Sequence, residues 1–230
     1  MKNYLIATIK SWNIHNYLKL KKKDMRNNWY IVSDKIELKE KLDSIRPEKI
    51  FFPHWSWIIP KNIYKSYDCI VFHATDLPFG RGGSPIGNLL ERGIYNTKIS
   101  AIKVDEGTDT GPIYLKKEID ISKGNINDIL KKCSDIIFNF MIPYIIENNP
   151  MPKEQRGKVV TFKRRTPEMS NMLKANIRTK RTIYDFIRML DGEGYPRAFI
   201  PLKNGKIELY EAKIDEKQNR TIFKGEYVDE

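Results

Sequence analysis

The chain has 230 residues, 40% of them hydrophobic and 30% charged, and a formal net charge of +12. This length and composition are ordinary for a globular protein with one large domain and a small second one. No apolar run approaches the roughly 18 residues of a membrane span, and the N-terminal segment reads as a strand and not a signal peptide. Two cysteines at predicted buried positions favour a reducing compartment, so we expect a cytoplasmic protein. The positive charge points to an anionic partner without distinguishing a nucleotide from a polynucleotide.

Short apolar runs alternate with helical patterns over the first two thirds of the chain. Strands are expected at residues 4–9, 29–32, 49–53, 69–72, 97–104 and 113–119. Helices are expected at residues 13–20, before Pro47 with Ser33 or Asp34 as its cap, at residues 85–92 and at residues 125–147, the last interrupted by Pro143. This alternation predicts an α/β, Rossmann-like fold with a mostly parallel sheet and flanking helices.

A polar, proline-bearing linker at residues 148–157 predicts a division into two parts. Residues 1–150 would form the Rossmann-like catalytic domain, and residues 151–230 a small C-terminal subdomain. In that subdomain a helix is expected at residues 182–190. Strands are expected at residues 198–202, 206–212 and 221–225, the first two joined by the Asn-Gly hairpin signal at 204–205.

His73 and Asp109 each follow an apolar strand, where open α/β sheets place their ligands. A carboxylate beside an imidazole raises its basicity and fixes its tautomer, as general base catalysis requires. Two plainer interpretations remain: a structural histidine and a turn-forming aspartate. The glycine-rich segment after His73 matches neither a dinucleotide nor a P-loop pattern, no G-x-S-x-G turn occurs, and no clustered Cys/His set predicts a metal.

The motif H-x4-P-x2-R-G-x2-P, which begins at His73, is followed by D-x-G-P, which begins at Asp109. Together these motifs resemble the formyltransferases that use N10-formyltetrahydrofolate, among them the methionyl-tRNA and nucleotide-sugar enzymes. The resemblance implies that the folate donates the formyl group, that an uncharged amine accepts it, and that His73 and Asp109 are catalytic. The family carries an asparagine two residues before the histidine to stabilise the oxyanion. This chain has Val71 there, so Asn13, expected at the end of the first strand, and Ser56 are candidate substitutes.

The resemblance also implies where the folate binds, along the end of the third strand and the loop before residue 109. Trp55 and Trp57 could wall a flat heterocycle, or they could belong to the core. The residues expected to bind the folate are Pro53, His54, Trp55, Ser56, Trp57, Ile58, Val104, Glu106 and Thr108.

The sequence Arg164-Arg165-Thr166-Pro167 resembles an Arg-Arg-x-Pro segment of the nucleotide-sugar enzymes. Paired arginines suit phosphate oxygens, although a solvated basic run would look the same. The residues expected to contact the acceptor are Trp12, Gly80, Arg81, Gly82, Gly83, Arg164, Arg165 and Tyr195.

This resemblance favours a UDP- or dTDP-linked amino sugar as acceptor, and therefore a role in glycan biosynthesis without a nucleic-acid or membrane partner. A homodimer through the hairpin edge is possible. Two other interpretations stay open. One is a methionyl-tRNA-type formyltransferase, and the other is a basic nucleic-acid-binding module without catalysis.

Overall fold

The computed structural model describes residues 1–229 and divides the chain into two compact units that interleave along the sequence. The first unit contains residues 1–81, 98–119 and 131–161. The second contains residues 82–97, residues 120–130 and the chain from Phe162 on. These units are defined by packing, and the predicted division at residues 150 and 151 stays a prediction. No helix within residues 1–229 has the length and apolar character needed to cross a membrane.

A six-stranded sheet with the order β2-β1-β3-β4-β6-β7 organises the first unit. The first seven strands of the chain are β1 (Asn3–Ala7), β2 (Asn28–Val32), β3 (Lys49–Phe52), β4 (Asp68–His73), β5 (Phe79–Gly82), β6 (Asn96–Lys103) and β7 (Ile113–Asp120). The first four strands pair in parallel, and β6 runs antiparallel to β4. The predicted α/β, Rossmann-like fold with a mostly parallel sheet is therefore confirmed.

The helices of the chain lie between these strands and after them. They are α1 (Ser11–Lys23), α2 (Lys35–Ile45), α3 (Lys61–Ser66), α4 (Pro85–Glu91), α5 (Ile126–Ile136), α6 (Ile142–Asn148) and α7 (Lys180–Arg188). The predicted cap of α2 is present, because the Asp34 carboxylate accepts the backbone N–H groups of Ile36 and Glu37 at 2.8 and 2.9 Å.

Alternate residues of the central strands bury one face of the sheet. Ile50 and Phe52 of β3 and Cys69 of β4 are 0 to 1% exposed and pack against Leu38 and Leu42 of α2. Each large apolar side chain buried in this way stabilises the fold by roughly 1.5–3 kcal/mol. This packing fixes the carboxyl ends of β3 and β4 side by side.

Three local expectations differ from the structure. Helix α1 begins at Ser11, so Asn13 lies in its first turn and not at the end of a strand. Helix α3 was not predicted. Strand β5 lies inside the expected glycine-rich loop and pairs with β8 (Val160–Phe162). Glycine disfavours strands, so β5 depends on hydrogen bonds from a partner distant in sequence, which no local pattern predicts.

The helix expected at residues 125–147 is interrupted as predicted, but over a whole turn. A π-helical turn, Ile137–Met141, separates α5 from α6 and ends two residues before Pro143. Proline has no N–H to donate, and its ring conflicts with the carbonyl of Asn139 in a regular α-helix. The wider π turn relieves that conflict.

The second unit contains α7 and a three-stranded antiparallel sheet in the order β11-β10-β9. Its strands are β9 (Ala198–Leu202), β10 (Gly205–Asp215) and β11 (Arg220–Asp229). The predicted hairpin at the Asn-Gly pair is confirmed, since Leu202 pairs with Gly205. Both later strands are longer than predicted.

A buried ion cluster anchors α7 within the second unit. Asp185 accepts hydrogen bonds from Arg188 Nε at 2.7 Å, Arg181 Nε at 2.9 Å and the Tyr95 hydroxyl at 2.7 Å. Arg188 is 1% exposed and also donates to the Ile121 carbonyl at 2.9 Å. A buried guanidinium such as that of Arg188 is stable only while its N–H groups have hydrogen-bond acceptors and its charge has a counter-ion.

We expect Asp185→Asn to lower the free energy of unfolding by about 3–5 kcal/mol, because it leaves the Arg188 charge buried without its counter-ion. Urea denaturation measures the change. The matched control is Glu48→Gln, which breaks the exposed Lys2–Glu48 pair and should cost at most about 1 kcal/mol. Equal effects of the two substitutions would contradict the assignment.

Candidate active site

His73 and Asp109 meet at the carboxyl edge of the sheet in the first unit. His73 is the last residue of β4 and is 8% exposed, and Asp109 lies in the loop between β6 and β7. His73 Nδ1 lies 3.4 Å from Asp109 Oδ2. The structure thus brings together the two residues that the sequence paired, and their catalytic role is argued under the proposed function.

The hydrogen bonds of the His73 ring distinguish its two nitrogens. Nε2 lies 2.7 Å from the carbonyl oxygen of Gly80, which can only accept, so Nε2 carries a hydrogen. Nδ1 is therefore the nitrogen that can gain or lose a proton, and it faces a carboxylate. Their separation of 3.4 Å exceeds the roughly 2.7–3.2 Å of a direct bond. With the hydrogen on Nε2, Nδ1 is a hydrogen-bond acceptor, as is the Asp109 carboxylate.

The turn that carries Asp109 has an unusual backbone. Asp109 has φ 55°, in the left-handed region that residues other than glycine rarely adopt. Gly111 lies so close to the end of β6 that a Cβ would stand 1.7 Å from the carbonyl oxygen of Lys103. Only glycine fits there, which accounts for the D-x-G-P motif.

Asn13 is fully buried and supports a second turn at this edge, at Pro53 and His54. Its Nδ2 contacts Thr8 Oγ1 at 2.7 Å, the Pro53 carbonyl at 3.1 Å and His54 Nδ1 at 3.1 Å. The expected role of Asn13 as an oxyanion donor stays a prediction. Its Nδ2 is engaged within the protein, and its buried Oδ1 has no hydrogen-bond partner within residues 1–229. The Nδ2 contacts are those of a residue that holds the turn.

His54 is held as a neutral hydrogen-bond donor. An amide NH2 can only donate, so His54 Nδ1 accepts from Asn13 and the ring hydrogen lies on Nε2. Burial, with a contribution from the positive charge of Lys10, lowers the pKa of His54 to about 4. Phe52, the last residue of β3, pairs with Val71, and β4 continues to His73. His54 thus follows β3 in the chain, and His73 ends the adjacent strand.

The loop after β3 combines aromatic rings with backbone groups that make no backbone hydrogen bond. Within residues 1–229, the backbone N–H and C=O groups of residues 54–58 make no backbone hydrogen bond. The rings of Trp55 and Trp57 lie 4.7 Å apart edge to face, and Trp55 packs in turn on Phe52 at 5.8 Å. Free polar backbone groups beside apolar walls are typical of sites for cofactors with fused rings. Ser56 and Ile58 are exposed in the same loop.

The remaining residues expected at the folate lie in the loop that begins after β6. Val104 is half-buried and donates its N–H to the Cys69 carbonyl at 2.9 Å. Glu106 is exposed and pairs with Lys61 at 2.5 Å, and Thr108 is exposed. Val71 packs against the apolar cluster of the core, so no polar side chain occupies the position of the family asparagine.

The residues expected to contact the acceptor are dispersed. Trp12 is half-buried in α1, with its ring edge to face with His54 at 6.3 Å. Arg81 donates from Nε and Nη2 to Gln155 Oε1 at 3.0 and 2.8 Å. Gly80 binds His73 through its carbonyl. Sequence reasoning missed Gln155, because this residue belongs to no motif and lies within the predicted linker at residues 148–157.

The paired arginines lie in the second unit and differ in exposure. Arg165 donates to Glu91 Oε2 at 2.9 Å and to the Met169 carbonyl at 2.6 Å, and its side chain is only 7% exposed. Arg164 is exposed and so close to Gly83 that a Cβ on this glycine would lie 2.6 Å from the Arg164 Cβ. Gly82, at φ 100°, and Tyr195, 37% exposed, are in the same unit. One arginine of the pair is thus committed to internal contacts.

Two family models match the chain. The formyl transferase model covers residues 18–135, about half of the sequence, and the C-terminal domain model of methionyl-tRNA formyltransferase covers residues 167–222. The chain therefore belongs to the formyl transferase family. The predicted enzyme class, a one-carbon-group transferase, is confirmed at this level.

Individual relatives refine the comparison. A solved structure of methionyl-tRNA formyltransferase from Clostridium thermocellum is 49% identical, covers 100% of both chains and has a TM-score of 0.94. Methionyl-tRNA formyltransferase of Clostridium botulinum is 27% identical over 190 residues, which are 80% of this chain and 60% of that protein. The chain thus spans about 60% of the length of this curated relative.

The expected nucleotide-sugar acceptor is wrong, and with it the expected role in glycan biosynthesis and the absence of a nucleic-acid partner. Both the C-terminal family model and the 49% identical structure belong to methionyl-tRNA formyltransferases. A 4-N formyltransferase from Francisella tularensis covers 100% of this chain and 98% of its own, but at 16% identity and a TM-score of 0.68 it shares only the fold. The internal contacts of Arg165 give the physical reason, because a motif of paired arginines does not ensure two free guanidinium groups.

We expect His54 to titrate near pH 4 instead of near its ordinary value of 6.5. The unfolded chain then binds a proton that the folded protein does not. The free energy of unfolding should therefore fall as the pH decreases from about 6.5 to about 4. NMR titration of the histidine rings measures the pKa, and urea unfolding between these pH values measures the loss. His54→Gln should lack this component, and a His54 midpoint near 6.5 would contradict the prediction.

Proposed function

We propose that this protein transfers the formyl group of N10-formyltetrahydrofolate to the amino group of methionyl-tRNA. The observation that carries the proposal is the His73–Asp109 pair at the sheet edge of a chain 49% identical, over its full length, to a methionyl-tRNA formyltransferase. The C-terminal family match supports the same acceptor. A cytoplasmic location, expected from the sequence, is part of this proposal.

The loop after β3 would hold the folate. Trp55 and Trp57 offer apolar ring surfaces, and the backbone groups of residues 54–58 are free to hydrogen-bond a heterocycle. The Nε2–H of His54 adds a donor that stays neutral above about pH 4. When bound, the folate supplies the formyl group.

His73 would act on the acceptor through Nδ1. An uncharged primary amine has two N–H groups, and Nδ1 and Asp109 Oδ2 are two acceptors 3.4 Å apart. As the amine nitrogen bonds to the formyl carbon, Nδ1 would take one of its protons, and Asp109 would stabilise the imidazolium that forms. The imidazolium would then give this proton to the folate nitrogen that leaves as its bond to the formyl carbon breaks. Nε2–H stays bound to the Gly80 carbonyl, so the ring keeps its orientation throughout.

Charge supports an RNA acceptor. The chain carries a net charge of +12, and α1 ends in three lysines, Lys21–Lys23, that are all exposed. Exposed basic side chains neutralise phosphates and release counter-ions, so their contribution weakens steeply with salt. An RNA acceptor therefore accounts for the net positive charge, which the nucleotide-sugar interpretation did not explain.

The direct test is formyl transfer with purified protein. We expect formylation of methionyl-tRNA in the presence of N10-formyltetrahydrofolate, followed by mass spectrometry of the released aminoacyl group. The KM for methionyl-tRNA should rise as salt is increased from 50 to about 200 mM. Failure to formylate methionyl-tRNA, or equal activity on free methionine, would overturn the proposed acceptor.

We expect His73→Asn to lower kcat by about 10²–10⁴-fold, because asparagine cannot take the amine proton. Steady-state kinetics with methionyl-tRNA measure the effect. His15→Asn is the matched control, since His15 is an exposed histidine of α1, and its kcat should stay at the wild-type value. Wild-type turnover in His73→Asn would remove His73 from the mechanism.

A further inference from the structure

Gln155 spans the turn that carries Asp109. Its Nε2 donates to the backbone carbonyls of Asp109 and Gly111, both at 2.8 Å. These two carbonyls flank Thr110, so a single amide group holds both sides of the turn. Gln155 itself lies in an irregular segment after α6, where no regular secondary structure would hold its side chain.

Arg81 orients Gln155 from the opposite side. Its Nε and Nη2 donate to Gln155 Oε1 at 3.0 and 2.8 Å. A guanidinium can only donate and a backbone carbonyl can only accept, so the contacts on both sides require the same orientation of the amide. Arg81, expected from the sequence to contact the acceptor, thus has two of its nitrogens committed to Gln155.

The same contacts close a ring around the His73–Asp109 pair. Gly80, next to Arg81 in the chain, accepts the Nε2–H of His73 at 2.7 Å. Asp109, whose carbonyl is bound by Gln155, faces Nδ1 of the same imidazole at 3.4 Å. The hydrogen bonds between Arg81 and Gln155 therefore connect Gly80, the partner of Nε2, with Asp109, the residue that faces Nδ1.

We propose that Gln155 is a positioning residue for the proposed formyl transfer, which holds the Asp109 turn so that the carboxylate stays opposite His73 Nδ1. This inference rests on the proposed function. The backbone of Asp109, at φ 55°, is one that an aspartate leaves unless its surroundings prevent it. The two donated hydrogen bonds supply that restraint, and without them Asp109 relaxes and its carboxylate moves away from the ring.

Two substitutions of Gln155 separate its contacts. Gln155→Leu has a similar size and no hydrogen bonds. Gln155→Glu keeps the length and an acceptor for Arg81, but it has no N–H groups to donate and directs a negative charge at the two carbonyls. We expect both to lower kcat by about 10–100-fold, as small misplacements of catalytic groups do, and to leave the KM for folate and methionyl-tRNA within about twofold. If Gln155→Leu fails to fold, Gln155→Glu alone decides.

The matched control is Gln218→Leu, in the exposed turn between β10 and β11, which should keep wild-type kcat and KM. In a His73→Asn background the Gln155 substitutions should lower kcat no further, because residues that act as one unit are not additive. A loss of kcat that adds in full to that of His73→Asn, or a rise in KM alone, would overturn the positioning role.

Ring NMR signals of His73 give a readout that needs no turnover. They should shift in Gln155→Leu and Gln155→Glu, and stay at their wild-type positions in Gln218→Leu. Unchanged His73 signals in both Gln155 variants would overturn this inference even if methionyl-tRNA is formylated. If the signals shift in the Gln155 variants but the wild-type protein does not formylate methionyl-tRNA, the positioning of Asp109 by Gln155 is supported and the proposed function is rejected.

Discussion

The parallel pairing of β3 with β4 is the constraint on which the site depends. It brings Phe52 opposite Val71, so β3 ends beside the last residues of β4. One strand then leads into the loop whose free backbone groups suit a heterocycle, and the other ends at the imidazole beside Asp109. The buried side chains of Ile50, Phe52 and Cys69, which pack against Leu38 and Leu42 of α2, support this register.

Backbone carbonyl groups orient the polar side chains of the candidate site. The Gly80 carbonyl assigns the hydrogen of His73 to Nε2, and the Pro53 carbonyl engages the amide of Asn13. Because a carbonyl can only accept, each contact fixes a proton position as well as an angle. His54 completes the pattern, since the Asn13 amide leaves it a neutral donor. In the proposed reaction, Nδ1 of His73 is therefore the nitrogen that exchanges a proton.

The acceptor illustrates how a local motif and a diffuse property can disagree. A pair of consecutive arginines is a strong local pattern and a net charge of +12 is a weak, diffuse one, yet the acceptor that the arginine pair favoured is the one that the comparisons overturn. Arg165 is bound to Glu91 and to a backbone carbonyl, with its side chain largely out of solvent. Whether a guanidinium is free to bind a ligand depends on contacts made far along the chain, which the motif does not contain.

The sequence by itself determined the α/β class, the strands of the central sheet, the capped helix α2 and the Asn-Gly hairpin. It also determined that His73 and Asp109 would meet. Each of these follows from a short pattern of polarity or from a residue type with one strong conformational preference. Tertiary structure alone decided the pairing of β5 with β8, the contacts of Asn13 with Pro53 and His54, and the use of Arg81 to hold Gln155. These features depend on hydrogen bonds between residues far apart in sequence. Gln155 is 74 positions from Arg81 and 46 from Asp109, a separation at which no periodicity or spacing rule connects side chains.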